Sequence, residues 1–519
     1  MASRQTANRY IREYLLTLMS ADSTANCVED ESLSEVSASF QLSEAEEFAN
    51  PHVWKDLAPD AGEDNSEIPY CYSHESSGES SDTSDDESGS ATSNPQTSRP
   101  SLPAKLLTFM LIFSVSKRAM QHLLVILNEE GCNVPKSVST LKRYCQPISH
   151  DLLSVACGGQ FAYFGIMNNI RFCFERQLLK LNDHFQKLTI LVNFDGVPVY
   201  KSSKMCLWPI LLAIKGVDLS VPLPIGVFCG TNRPPLSTYL ESFAQELRSL
   251  METYVSIANK AIKIERCIII ADAPARAFIQ GIYSHSARLA CGYCKIEGSR
   301  IENRMCFPYN QYEPRTNDAY MSMRESNQLV SSPLLGIVNF VEDLPPEYMH
   351  SVCLSVVKRL FSLYVSSIKG IKLPCRLSAV QRIHLSQLMI QVSKCLPREF
   401  HRKLRSLDEF EHFKACEFRT LIVYLAPVLF RKFLPAPYFD HLMLLHVAIF
   451  CFVSQELSTS LFHQASSCIT LFCQRAPGLY KGALQSFNAH LLSHMPHFVE
   501  SLGPLDQWSA FFSKTTTEF

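Results

Sequence analysis

This 519-residue sequence predicts an α/β core built on a mixed sheet with flanking helices, a large all-helical C-terminal region and a disordered acidic N-terminal arm. Three observations carry that expectation. Between Leu188 and Phe278, short apolar runs rich in branched residues alternate with turns and one amphipathic stretch. From Leu377 onward the apolar residues recur at helical spacing almost without interruption. Between Ala21 and Pro95 there are 19 acidic residues against the single Lys55.

In the core, Leu188–Phe194, Leu207–Ile214, Val221–Phe228 and Cys267–Ala271 have the length and composition of buried strands, bounded by Gly or Pro. Leu236–Ile257 reads as an amphipathic helix with Tyr239, Phe243, Leu247, Leu250 and Met251 on one face. The order is three strands, a helix and a strand, with Asp195 ending the first strand and Asp272 the last. That is the layout of an RNase H-like nuclease core. Carboxylates on neighbouring strand ends suit Mg²⁺ or Mn²⁺, hard cations that bind few protein oxygens and share the rest of their shell with water and phosphate. The residues leave a second reading open: Asp195-Gly196 as a turn pair, and Asp272 as the cap of a helix beginning at Ala273.

The arm accounts for about −18, which leaves the rest of a chain of net charge −2 at about +16. A basic body with an acidic arm fits a polyanion-binding protein. SHESSGESSDTSDDESGSATSNPQTS is low in complexity and too poor in apolar surface to fold, so 21–103 is expected to be disordered, after a short helix over 1–20. Residues 104–187 read as a helical N-terminal domain, interrupted near Gly131 and resuming after Pro135. The core spans 188–360 and the helical region 361–519. The 19 cysteines, with no signal peptide ahead of them, fit a reducing compartment. Leu442–Val453, the longest apolar stretch, is too short to span a bilayer, so no membrane partner is expected.

After the core, CGYC places Cys291 and Cys294 at the spacing of a zinc knuckle, with buried reduced thiols as the alternative. His285, six residues upstream, and His350 are the histidines proposed to complete a Zn²⁺ site, with Cys306 a further candidate. His490 and His494 stand at i and i+4, a spacing zinc can use but packing equally explains; they stay unassigned. PREFHRKLRS is the densest basic cluster, and Arg398, Arg402, Lys403 and Arg405 are its candidate phosphate contacts.

The segments NFDGVPVYKSSKMCLWPILLAIKG, PLPIGVFCGTNRPP, ADAPARAF, CGYC, LPPEYMHSVCLSVVKRLF, LPREFHRKLRSLDEFEHFKACEFRTLIVYLAPVLF and FNAHLLSHMPHFVESLGPLDQWSAF occur in this order. Together they resemble the transposases of animal EnSpm/CACTA-type DNA transposons, over roughly Leu102 to Phe511. The resemblance implies metal-dependent cleavage and strand transfer at transposon ends by an RNase H-like DDE/DDD site. It implies double-stranded DNA (terminal repeats and target) as partner, a possible homo-oligomer and a nuclear location. Asp195 and Asp272 would be the first two acids, and the CxxC after the second favours metal. Glu347, at the acid that precedes Met-His in the family pattern, is the chosen third, with Glu342 and Asp343 as competitors. After GPLDQWSAF the family usually continues Pro-Phe-Glu, whereas this chain reads FSKTTTEF. That departure implies either a C-terminally shortened transposase or a transposase-derived DNA- or protein-binding module without catalysis.

Overall fold

A computed structural model describes residues 101–511, apart from 113–114, 143–152, 156–158, 176–178, 180–185, 199–203, 218–221, 258, 302–303, 367–372, 398–399 and 401. The short helix expected over 1–20 and the acidic arm up to residue 100 lie outside the described residues, as does Arg398. Three helices come first: α1 (Leu102–Ile112), α2 (Lys117–Glu129) and α3 (Val138–Lys142). They close a small core of their own around Leu107, Met110, Met120, Leu124 and Leu141.

A mixed sheet follows. Its strands are β1 (Leu153–Val155), β2 (Gly159–Tyr163), β3 (Gln186–Phe194), β4 (Val197–Pro198), β5 (Cys206–Ile214), β6 (Leu223–Gly230), β7 (Val255–Ile257) and β8 (Lys260–Ala271). Their order across the sheet is β1-β2-β6-β5-β3-β8-β7, with β4 paired to β5. Every pairing is antiparallel except β3 with β8, which run parallel and end together, Phe194 opposite Ala271.

Helices α4 (Ile166–Glu175) and α5 (Leu236–Glu252) pack on this sheet through Ile166, Ile170, Tyr239, Phe243 and Leu247. Glu246 on α5 accepts hydrogen bonds from the Ile166 and Met167 amides (2.8 and 2.9 Å), satisfying donors that the first turn of α4 leaves free. Within the range 104–187, expected to be helical throughout, α1 to α4 are helices, but β1, β2 and the start of β3 belong to the sheet and α4 packs against it. The expected helix over Leu236–Ile257 ends early, because Val255–Ile257 turns back onto β8 through Asn259, whose φ is 63°. That left-handed conformation is one Asn tolerates better than most residues.

Beyond β8 come α6 (Ala273–Gln280), the short hairpin β9 (Ser299–Ile301) and β10 (Arg304–Cys306), and α7 (Asn317–Met321). Gly281 ends α6 at φ 67°, where a Cβ would lie 2.4 Å from the Val330 carbonyl oxygen, so only glycine fits. A wide-turned helix over Met349–Val357 continues as α8 (Lys358–Val365). The helical region then comprises α9 (Ala379–Lys394), α10 (Ala415–Thr420), α11 (Ala426–Phe430), α12 (Ala436–Phe452), α13 (Thr459–Tyr480), α14 (Phe487–Leu491) and α15 (Met495–Leu502). Helix α12 is apolar on all sides and correspondingly buried, and its His441 hydrogen-bonds the Phe472 carbonyl on α13 (2.9 Å). Burial holds the His441 imidazole down to a pKa of about 4, so it sits neutral in the core. Among the described residues no helix is long and apolar enough to cross a membrane.

Candidate functional site

The parallel pairing of β3 and β8 decides where the two aspartates go. Asp195 and Asp272 are the next residues after a matched pair, so they leave neighbouring strand ends side by side. Strands in a sheet lie about 4.8 Å apart. Both aspartates are half-buried. Asp272 also caps α6, its Oδ1 accepting from the Ala275 amide (2.7 Å), and this uses one of its two oxygens.

Asp272 opens onto a cleft of about 230 Å³, lined also by Arg276, His285, Glu347, His350, Asn488 and Leu491. Arg276 is buried, its guanidinium 5.2 Å from the Tyr293 ring centre. Glu347 is buried immediately before the Met349 helix. Its Oε1 accepts from the amides of Met349 (2.7 Å) and Ala510 (2.8 Å), and its Oε2 from the His350 amide (2.8 Å). Oε2 also meets His350 Nδ1 at 2.6 Å. Burial alone would raise the Glu347 carboxyl, but His350 opposite, with the His350 and Ala510 amides, holds it below the ordinary carboxylate value. Glu347 thus lies on the expected cleft, but its carboxylate is committed to the backbone and to orienting His350. The competing acids lie elsewhere: Asp343 pairs with Arg266, and Glu342 with His497 at 2.6 Å.

The second constellation is the knuckle. Cys291, Cys294, His490 and His494 bring their four ligand atoms within 4.8 Å of one another. The sulfurs are 3.7 Å apart. His490 Nε2 lies 3.3 Å from Cys291 Sγ and 3.4 Å from Cys294 Sγ. His494 Nε2 lies 3.5 Å from Cys291 Sγ and 3.1 Å from His490 Nε2. A tetrahedral zinc ion, with bonds of about 2.3 Å to sulfur and about 2.05 Å to nitrogen, separates sulfurs by about 3.8 Å, sulfur from nitrogen by about 3.6 Å and nitrogens by about 3.3 Å. Five of the six edges match within a few tenths of an ångström and the sixth, Cys294 to His494, is within 4.8 Å, so this donor set can hold a metal such as zinc. Four protein ligands leave no open position, which is the pattern of a structural site.

Burial opposes ionisation of Cys291, yet the Cys294 thiol donating to it and the two imidazoles hold it well below the usual thiol range. Buried Arg315 donates to the carbonyls of Cys291 (2.9 Å) and Cys294 (3.1 Å) and pairs with buried Glu325, fixing the turn between the cysteines.

The histidines differ from those expected. His285 and His350 line the aspartate cleft, and the knuckle is completed by His490 and His494, some 200 residues along the chain. Cys306 is buried outside the four-residue cluster. In the basic cluster Arg402 and Lys403 are exposed, but Arg405 is not available to phosphate. Its guanidinium forks onto buried Glu417 (3.0 and 2.7 Å) and also bonds Glu409 (3.1 Å).

Compared with known proteins, the chain matches no protein-family model, and no curated protein matches it.

Proposed function

We propose that this chain is a DNA-cleaving and strand-transferring protein of the transposase kind, acting in the nucleus on transposon ends. The observation that carries the reading is the placement of Asp195 and Asp272 at the ends of parallel β3 and β8, one beside the other. The antiparallel run β6-β5-β3 followed by parallel β8 is the strand order an RNase H-like core requires, which supports that finer description. Two carboxylates of this kind fit Mg²⁺ or Mn²⁺, which supplies Lewis-acid stabilisation of phosphodiester oxygens and an acidified water. The chain's own groups would do the rest. Asp195 and Asp272 hold the ion, and Arg276 gives the cleft a buried positive charge for an anionic substrate. Glu347 fixes the ring of His350 at the cleft wall, a carboxylate–histidine pair suited to orienting or relaying a proton. The knuckle, loaded with Zn²⁺, ties α14 to the cleft, since Asn488 and Leu491 of that helix form part of its lining.

A second reading, a transposase-derived binding module without catalysis, is favoured by one observation: no lone pair of Glu347 is left for an ion. The test is cleavage of labelled duplex carrying the inverted repeats that flank the gene, in Mg²⁺ or Mn²⁺. Cleavage that disappears in Asp195→Asn and in Asp272→Asn supports the enzyme. Duplex binding without cleavage by the wild type supports the binding module.

A further inference from the structure

Arg233 stands in the loop between β6 and α5, and the topology brings this loop to the aspartate end of the sheet. Strand β6 runs antiparallel to β5, which runs antiparallel to β3, so the chain leaves β6 at the end where it leaves β3. Gly230 pairs with Cys206, and Leu207 pairs with Val197, two residues past Asp195. Arg233 is exposed, yet its guanidinium is held by two rings, 5.8 Å from the centre of Trp208 and 5.1 Å from that of Phe278. Each ring belongs to one aspartate segment. Trp208 lies so close to Gly196 that a Cβ there would approach its ring to 2.9 Å, and Phe278 is on the helix that Asp272 caps. The rings themselves pack edge to face, 5.7 Å between centres.

Stacking of this kind fixes the plane of a guanidinium while leaving its in-plane N–H donors available. Among the described residues Arg233 makes no ion pair. The following Pro234 and Pro235 restrict the backbone that carries it. A cation that is oriented, exposed and, among the described residues, in no ion pair, on a loop at the aspartate end of the sheet, is suited to an anion from outside the chain.

We propose that Arg233 binds a backbone phosphate of the DNA strand entering the aspartate site, with Trp208 and Phe278 as the platform that orients it. The inference rests on the reading of the chain as a DNA-cleaving protein. It is tested by fluorescence anisotropy of a labelled 30-bp duplex over a potassium chloride series without divalent metal. Arg233→Gln, which keeps a planar head but no charge, should flatten the plot of log affinity against log salt by about 0.9, the value of one duplex phosphate contact. The variant then loses about eightfold less affinity than the wild type per tenfold rise in salt. Arg233→Lys restores the charge and should restore the slope, and thermal unfolding of both variants should match the wild type. An unchanged slope in Arg233→Gln overturns this inference alone, provided the wild type binds the duplex with salt dependence. A wild type that does not bind duplex DNA overturns both this inference and the function it rests on.

Discussion

Replacing Glu347 by Gln separates two roles for this residue, a ligand of the proposed ion and a clamp on the protein's own backbone. The carboxylate receives hydrogen bonds from three amides, a longer one from the Ser509 hydroxyl (3.4 Å) at Oε1, and meets one imidazole nitrogen at Oε2. A glutamine must put an NH₂ in one of these places. Facing Met349 and Ala510 it would oppose two N–H donors. Facing His350 it opposes only the amide and can donate to a neutral Nδ1, so this orientation is favoured. One buried N–H is then orphaned, at about 1–3 kcal/mol. The remaining bonds lose the charge that made them roughly twice as strong as neutral ones. The expected destabilisation at pH 7 is about 2–4 kcal/mol.

The difference should depend on pH in a definite direction. The folded carboxyl titrates below its ordinary value of 4.5, so its contribution is complete above that pH and fades as pH falls through the lower, folded value. Urea unfolding of wild type and Glu347→Gln at pH 7 should show a wide gap, narrowing in strong acid. Equal stability at pH 7 would refute the clamp. A variant as stable as wild type that has lost Mg²⁺ binding would show that Glu347 is the third ion ligand instead.

Changing Cys291 and Cys294 together to Ser should abolish one bound zinc per chain, measured by elemental analysis, and lower the thermal midpoint, whereas His285→Ala should leave the zinc content unchanged. In the basic cluster, replacing Arg402 and Lys403 by Ala should reduce the salt slope of duplex binding by about 1.8, at about 0.9 per contact. Adding Arg405→Ala should cost stability and leave that slope where it was, because the side chain already neutralises buried Glu417.

The parts of the fold that were legible in the sequence are those whose signal is local. The β3, β5 and β8 runs announce themselves because strands buried on both faces are nearly continuous in Ile, Leu and Val. Strand β2, within GGQFAYFG, carries glycines and a single turn of alternation, so its pairing with β6 came only from tertiary context. Strand β7 is hidden because its residues extend the apolar rhythm of α5. The knuckle was half legible. CxxC is a local motif, while the choice among histidines is a matter of distance in space, and the one available hint, the i, i+4 spacing of His490 and His494, is shared by ordinary helices. Arg405 shows the same limit for charge: its partner Glu417 is 12 residues away, and nothing in a run of cations reveals which is already neutralised.

The expected boundary between an α/β core ending near residue 360 and a separate helical region also dissolves at the cleft. Asn488 and Leu491 of α14 form its wall, while Asp272 and Arg276 of α6 form another part of it. His490 and His494 bind that wall to the knuckle, and the Ala510 amide reaches back to Glu347. Lys215, at the far end of β5, donates to the Leu502 carbonyl (2.9 Å). A linkage from residue 294 to residue 490 closes a loop of 196 residues. Because such a site does not exist in the unfolded chain, the free energy of binding a metal there would add to the stability of the fold. A metal held at the knuckle would therefore act on the cleft through connectivity, keeping α14 and its cleft-lining residues against the aspartate helix, though none of its four ligands is among the residues that line the cleft.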